Sequence, residues 1–507
     1  MKNLKYFSIY LWGALMATAC YKDIGNYDYT PISDILIEEV ADMYTVVLPL
    51  DDKLEITPLI ITSYPESELE YAWVRCKGSV SSGFVWDTIS REKNLHHPIE
   101  ERMGSYPLYF YVKNKKSGFF VHTVTNMTIL SEYSRGFYML KETADGDTDI
   151  DLLLDDGRIG TDILVRTQGT PLQGKPRSLG IMYQRQMIDP DTHEKSRGHS
   201  IGIVTFDKKV NILRTSDMYL AFEHETLFYD EPDDIPYKFL GCSGGHVYLS
   251  STGVYPISLT SDGSGYLGFP TATVNVSHYA YSIGTHGYLC WDDITDGIVL
   301  IGSSGAVTRY AHVDYGDFSA FNSECIAMGG LQNVAFAILK SKTSGLMTLY
   351  KFSVSSSLPT LASITNIPPT SGLYNASLIT FNEKVREVIY FVVNNKLFCY
   401  DVALETESEI FPAGLPEDEM ITYIRNCHYD LDTPAFSYFV VGTGKGGLYR
   451  VHMYNMTTDG RPLGEAVVTA SGTGKVQDIG YIGTSYVQNA MSLSGGFLGR
   501  ASYNYSR

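Results

Sequence analysis

Apolar and polar residues alternate in short runs along this chain, and turn-forming residues separate the runs. In Tyr106-Pro107-Leu108-Tyr109-Phe110-Tyr111-Val112, the residues Tyr106, Leu108, Phe110 and Val112 fall on one side of an extended backbone. That is the period-two pattern of a strand with one buried face. Further strand candidates lie at 35–40, 54–61, 70–76, 107–113 and 119–130. About one hundred residues of short strands with turn signals between them predict an immunoglobulin-like β-sandwich over residues 32–131. Trp73 is expected in its core. Trp86, after a Gly/Ser-rich turn, is expected in half-exposed packing.

From residue 133 to 507 the pattern repeats. One unit reads Val388-Ile389-Tyr390-Phe391-Val392-Val393, then Asn394-Asn395, then Lys396-Leu397-Phe398-Cys399-Tyr400. Two β-rich runs around Asn-Asn predict a hairpin, because asparagine tolerates the positive φ that tight turns need. Similar pairs of runs stand at 246–257, 298–310, 334–352 and 438–451. Their second strands carry Tyr255, Tyr310, Tyr350, Tyr400 and Tyr449, at spacings of 55, 40, 50 and 49 residues. Repeats of about 40–50 residues built from short strands predict a β-propeller, whose blades bury their faces only by stacking in a ring. Extrapolating backwards predicts strands near Leu153 and Phe206. Extrapolating forwards reaches Gly495-Gly496-Phe497-Leu498, which is expected to close the ring. Seven blades fit the spacing best, and six or eight are also compatible with it. The fold class is therefore all-β, an N-terminal sandwich followed by a propeller.

The first twenty residues follow another rule. Lys2 and Lys5 precede an apolar run from Tyr6 through Trp12 to Met16, and Ala17-Thr18-Ala19 lead into Cys20. A basic start, a short apolar stretch and small residues before the cut predict a signal peptide over residues 1–19. The run is shorter than the about 20 residues that span a bilayer. A cysteine directly after the small residues resembles the lipobox of bacterial lipoproteins, with Ala17 where leucine is more usual. The resemblance implies acylation of Cys20 by more than one chain, which gives lasting anchorage where a single chain does not. Residues 20–31 then form a lipidated cysteine and a short polar tether.

The formal net charge is −18; loss of Lys2 and Lys5 with the signal peptide takes it to −20. Such acidity argues against nucleic acid, whose binding rests on lysine and arginine contacts to phosphate. Cys76, Cys242, Cys290, Cys325, Cys399 and Cys427 show no metal-like spacing, and most lie in apolar runs. They are expected as small buried hydrophobes, with a disulfide as the second reading.

These features together resemble a family. Cys20-Tyr21-Lys22-Asp23-Ile24-Gly25-Asn26-Tyr27-Asp28-Tyr29 resembles the start of PKD-like surface lipoproteins of the Bacteroidota. Tyr71-Ala72-Trp73 and Gly104-Ser105-Tyr106-Pro107-Leu108 resemble strands of PKD-type domains, and Gly136-Phe137-Tyr138-Met139-Leu140 with Asp145-Gly146-Asp147 resembles the entry to that family's C-terminal region. The resemblance implies an outer-membrane lipoprotein exposed at the cell surface. It further implies an accessory to SusC/SusD-type, TonB-dependent complexes that import glycans or peptides. Which of the two ligands it handles is left open by the residues.

Specific catalytic motifs are absent from the sequence: there is no GxSxG, HExxH or P-loop. Gly442-Thr443-Gly444-Lys445-Gly446-Gly447 is phosphate-like only in composition and is expected as a β-turn. Asp145, Asp147 and Asp149 alternate in a way that suits Ca²⁺, which takes six to eight oxygens; Ile150 and Asp156 stand where an EF-hand loop needs Gly and Glu. A solvated acidic turn is the simpler expectation there. Glu223, Glu225, Asp230, Glu231, Asp233 and Asp234 make a second acidic loop, of the residue type that glycoside hydrolysis employs. Tyr288 and Trp291, beside Asp292 and Asp293, are the candidates for an exposed aromatic platform. The reading favoured is a non-enzymatic ligand-binding lipoprotein; a surface glycosidase or lyase and an adhesin or scaffold are the alternatives.

Overall fold

The structure is a computed structural model. It describes residues 35–483 apart from 49–50, 80–82, 102–103, 189–194, 208, 234–235, 243–244, 258–264, 271–273, 283–286, 303–304, 310, 313–315, 318–320, 332–333, 355–358 and 430–435. The expected signal peptide, Cys20, the tether and the Gly495–Leu498 stretch lie outside the described residues. The chain divides into two compact units. The first comprises residues up to 44, 53–99 and 106–127; the second holds everything from Thr128 on, together with 45–52 and 100–105.

The first unit is built on a five-stranded sheet in the order Met43–Leu48, Phe120–Ser131, Gly104–Asn114, Leu69–Ser79, Gly83–Ser90. Two short ladders accompany it, Leu36–Glu38 with Leu59–Ile61 and Lys53–Ile56 with Leu95–Pro98. Alternation decides which side is dry. Leu108, Phe110 and Val112 are fully buried with Trp73, whose ring lies 4.3 Å from that of Phe110. The Trp73 indole donates its N–H to the Lys93 carbonyl at 3.1 Å, which satisfies the one polar atom of a buried tryptophan.

Among the described residues the second unit is built on seven antiparallel sheets of three or four strands arranged in a ring, a seven-bladed propeller. Blades 2 to 7 follow chain order, each with its first strand innermost. These innermost strands are Pro176–Ile188, Pro236–Cys242, Val276–Ser282, Ser323–Leu331, Leu378–Phe381 and Met420–Tyr429. Blade 1 is composite: Lys475–Ile482 is its innermost strand, paired with Gly136–Glu142, then Thr148–Leu153 and Ile159–Gly160. Each innermost strand neighbours the next, and Met420–Tyr429 returns to Lys475–Ile482. The ring is thus closed by pairing its last described strand with its first. The closing strand is not the expected Gly495–Leu498 stretch. Outside blade 4 the repeated tyrosines stand on the third strand of a blade, and the innermost strand comes about half a repeat earlier.

Seven apolar clusters of described residues occupy the seven seams between blades. This explains the continuous apolar runs of the central strands. A blade strand is buried on both faces, so its odd and even residues serve different seams. At the seam of blades 2 and 3 the approach is close: a Cβ on Gly202 would stand 2.3 Å from the Phe239 ring. The Asn394-Asn395 hairpin forms as expected, with both φ angles positive at 48° and 62°. Four of the five expected hairpins are second-to-third-strand pairs. The fifth is displaced: Gly297–Ile301 pairs with Tyr288–Asp292 as well as with Val307–Arg309, so 298–310 is a third-to-fourth-strand pair of blade 4.

Candidate ligand-binding surface

The Gly104–Asn114 strand is aromatic on both of its faces. Leu108, Phe110 and Val112 point into the core, so Tyr109 and Tyr111 point the other way, half-buried. Antiparallel pairing sets their neighbours. Val74 lies opposite Tyr109, Ala72 opposite Tyr111, and Cys76 opposite Trp86 on the Gly83–Ser90 edge strand. On the other flank the Phe120–Ser131 strand turns Phe120, His122 and Val124 to the same side. Trp86 is 53% exposed and Phe120 54%.

These rings touch in series. Trp86 meets Tyr109 edge-on at 5.0 Å. Tyr109 and Tyr111 lie nearly parallel at 6.3 Å. Tyr111 continues to His122 at 5.3 Å and to Phe120 at 6.3 Å, and His122 also reaches Tyr109 at 6.2 Å. Five aromatic side chains on three strands therefore form one exposed patch across the sheet. Ala72 and Val74 lie beside Tyr111 and Tyr109 on the neighbouring Leu69–Ser79 strand. Each contact between the rings is worth about 0.5–1.5 kcal/mol, which holds the patch in shape without a ligand. Contiguous exposed apolar surface of this kind marks interaction sites. Chemically it offers ring faces for stacking, with two phenol hydroxyls and an imidazole for hydrogen bonds.

The residues expected from sequence to form sites fall elsewhere. Tyr288 and Trp291 are both fully buried, in the central Tyr288–Asp292 strand of blade 4. Tyr288 packs in the seam with blade 3 and Trp291 in the seam with blade 5. They are core residues, and the expected platform is corrected to the sandwich face. The Gly/Asp context that suggested exposure belongs to the ends of that strand: Asp292 accepts the Ile294 N–H at 3.2 Å and the Thr295 hydroxyl at 2.6 Å.

Asp145, Asp147 and Asp149 have separate tasks. Asp145 is exposed. Asp147 accepts the Gly174 N–H at 3.0 Å. Asp149 is buried, and one carboxylate oxygen accepts the Ile150 and Leu164 N–H groups at 2.7 and 2.8 Å. Burial pushes its carboxyl above the ordinary range, against those two bonds. Among the described residues no three His, Cys, Asp or Glu side chains come together as a metal site. In the second acidic loop, Glu225 pairs with Lys209, and His224 is buried with its Nε2 3.2 Å from Glu231. The Gly446-Gly447 pair is a tight hairpin turn, with φ of 60° and 78°. Cys76, Cys290, Cys325, Cys399 and Cys427 are buried free thiols.

Sequence reasoning missed the platform because it used the alternation at 106–112 only to find the core. The signal was present: a strand with one wet face does not ordinarily carry aromatics at its odd positions as well as its even ones.

Comparison with known proteins agrees with the first part of the chain. No curated protein matches. Among solved structures, the chain resembles a quinoprotein alcohol dehydrogenase-like protein from Bacteroides thetaiotaomicron at 15% identity, over 89% of this chain and 99% of that one, with a TM-score of 0.38. It also resembles a putative 6-phosphogluconolactonase from Bacteroides fragilis at 11% identity (67% and 98% covered, TM-score 0.35) and the Swd1 β-propeller domain of Myceliophteria thermophila at 9% (62% and 97%, TM-score 0.30). Superposition this loose carries no argument, and the propeller rests on the strand order and seams above. The sequence pattern of the PKD-like family matches residues 20–176, starting on Cys20 and running through the sandwich into the first propeller blade. Residues 20–176 are a PKD-like family segment.

Proposed function

We propose that this chain is a lipid-anchored surface protein that captures glycans, without catalysis, as an accessory of an outer-membrane nutrient uptake complex. The observation that carries the reading is the exposed series Trp86, Tyr109, Tyr111, His122 and Phe120. The C–H faces of sugar rings stack on aromatic faces, and sugar hydroxyls bond to groups such as the tyrosine hydroxyls and His122. Nucleic acid bases also stack on aromatic surfaces, but those sites pair the rings with a positive groove, and this chain is net negative at −18. The lipobox-like Ala17-Thr18-Ala19-Cys20 supports the anchor, and so does the start of the family match at Cys20.

The test is retention on a panel of immobilised neutral glycans, with the mature chain and a Trp86→Ala/Tyr109→Ala variant. Both side chains lie on the sheet face turned away from the core, so the variant should keep a cooperative unfolding transition, its midpoint lowered only by the lost ring contacts. Loss of one stacked ring costs about 1–3 kcal/mol by analogy with base stacking, so affinity should fall tenfold or more. Equal retention by the two proteins, or none by either, rejects the reading. Mild solubilisation of the native lipoprotein should also bring down a TonB-dependent transporter.

A further inference from the structure

The propeller carries a cleft that the glycan face does not involve. It opens where the innermost strands of blades 7, 1 and 2 begin, and its volume is about 480 Å³. Pockets that hold small ligands run from about 300 to 1,000 Å³. Lys175 precedes the Pro176–Ile188 strand, Lys475 opens the closing strand, and Lys445 stands at the Gly446-Gly447 turn; all three line the cleft with a single carboxylate, Glu142. On a chain of net charge −18 this is a local reversal of sign. Two of the lysines are engaged: Lys175 lies 3.2 Å from Glu142, and Lys445 pairs with Asp418. Lys475 is exposed and makes no ion pair among the described residues.

The backbone adds to this. Gly446 and Gly447 both take positive φ, 60° and 78°, which glycine adopts freely. Their N–H groups have no backbone acceptor among the described residues. Gly474 fixes the adjoining wall by donating to the Gly447 carbonyl at 2.8 Å. Its φ is 99°, and a Cβ there would stand 2.3 Å from the Glu142 carbonyl oxygen. A pre-shaped wall with backbone N–H groups that lack a backbone acceptor and one surplus ammonium group, that of Lys475, is complementary to an oxyanion. The remaining surface mixes the hydroxyls of Thr143 and Thr422, glycine backbone and lysine stem with the apolar side chains of Ala144 and Leu448, a combination that matches a sugar ring, which has hydroxyls at its edge and C–H groups on its faces.

We propose that this cleft binds the anionic group of an acidic saccharide, a uronate carboxylate or a sugar sulfate, with Lys475 as the principal partner. Isothermal titration of the full mature chain tests it with a uronic acid trimer, a sulfated disaccharide and the neutral trimer of matching linkage. The uronate or the sulfated sugar should bind more tightly than the neutral trimer, and the advantage should shrink as salt rises. Lys475→Gln should reduce that advantage about tenfold, the value of one charge-assisted hydrogen bond, and leave the neutral trimer unaffected. Which acidic sugar loses more identifies carboxylate or sulfate as the group held. The effect is read as a difference between charged and neutral sugars, so it stands apart from the aromatic face and is unchanged in the Trp86→Ala/Tyr109→Ala background. Equal affinity of charged and neutral sugars, an unchanged advantage in Lys475→Gln, or oligoglutamate binding as tightly as the uronate would each overturn the proposal.

Discussion

Charge is buried on the innermost strands of the propeller, and its cost sets a pH dependence. Lys238 is 1% exposed, and burial pushes its amine down to about 7, against partial support from Cys290 and Asp478. Asp478 accepts the Leu179 and Ile479 N–H groups, both at 2.9 Å, and lies 3.7 Å from Arg425. In the unfolded chain a lysine titrates near about 10.4. Between these values the unfolded state holds the extra proton, so stability rises as pH climbs from about 7. Buried thiols act in the opposite sense. Burial pushes Cys427 up to about 12 and Cys290 higher still. Their unfolded forms ionise near about 8.5, so stability falls above that pH. Urea denaturation should therefore show a maximum near about pH 8 to 9. Lys238→Met should abolish the rise of about 1–2 kcal/mol below it; an identical profile in the variant would place the cause elsewhere.

A second buried network closes the seam between blades 7 and 1. Lys141, 1% exposed, lies 2.6 Å from Asp151 and 2.7 Å from Asp162. Asp151 also accepts the Asp162 N–H at 2.8 Å and the Tyr449 hydroxyl at 2.5 Å from the neighbouring blade. Burial disfavours the Lys141 charge, yet the bonds to Asp151 and Asp162 raise its pKa overall. Removing one member of such a pair leaves charge uncompensated, at about 3–5 kcal/mol. Asp151→Ala should destabilise the propeller by about that amount, and Tyr449→Phe by only about 1 kcal/mol, one hydrogen bond. Comparable losses in the two would show that the tyrosine, and not the ion pair, holds the seam.

At the scale of elements, the closing strand carries the largest consequence. Lys475–Ile482 supplies the innermost position of blade 1, and Val476, Ile479 and Ile482 on it are buried. A chain ending at residue 474 would uncover one edge of Gly136–Glu142 and two seams, those with blades 7 and 2. It should lose its cooperative unfolding transition and bind a hydrophobic dye; an unchanged transition would show that the ring does not need its closing strand. Much of this architecture was legible in the sequence, because central strands such as Val388–Val393 and Gly297–Ile301 read as apolar runs and two of the tight hairpins show Asn394-Asn395 and Gly446-Gly447. The phase of the repeat was less legible. Blade 4 has no tyrosine in its third strand, Gly297–Ile301, so the spacing of the tyrosines is out of phase with the blades there. Exposure was least legible, because it depends on what stacks against a strand. Tyr288-Leu289-Cys290-Trp291 between two blades is core, while the equally apolar Tyr109-Phe110-Tyr111 on an outer sheet is half surface.

At the scale of the whole molecule, the proposed function depends on where the chain is held. No helix among the described residues is long and apolar enough to cross a membrane, and the sequence offers Cys20 as the point of attachment. Acyl chains contribute about 0.8 kcal/mol per buried CH₂, so one chain binds reversibly and two or more bind durably. A Cys20→Ser variant cannot take the thioether-linked lipid. It should leave the membrane fraction, fail to incorporate labelled fatty acid and cease to deliver glycans to cells. Its purified form should still bind neutral glycans through Trp86 and Tyr109, and acidic ones through Lys475. A variant that stays with the membrane would point to another anchor. A variant that is released and still supports growth on the captured glycan would separate binding from uptake and overturn the accessory role. Protease shaving of intact cells completes the argument: wild-type chain cut from outside lies on the surface, and chain that survives until the outer membrane is opened does not.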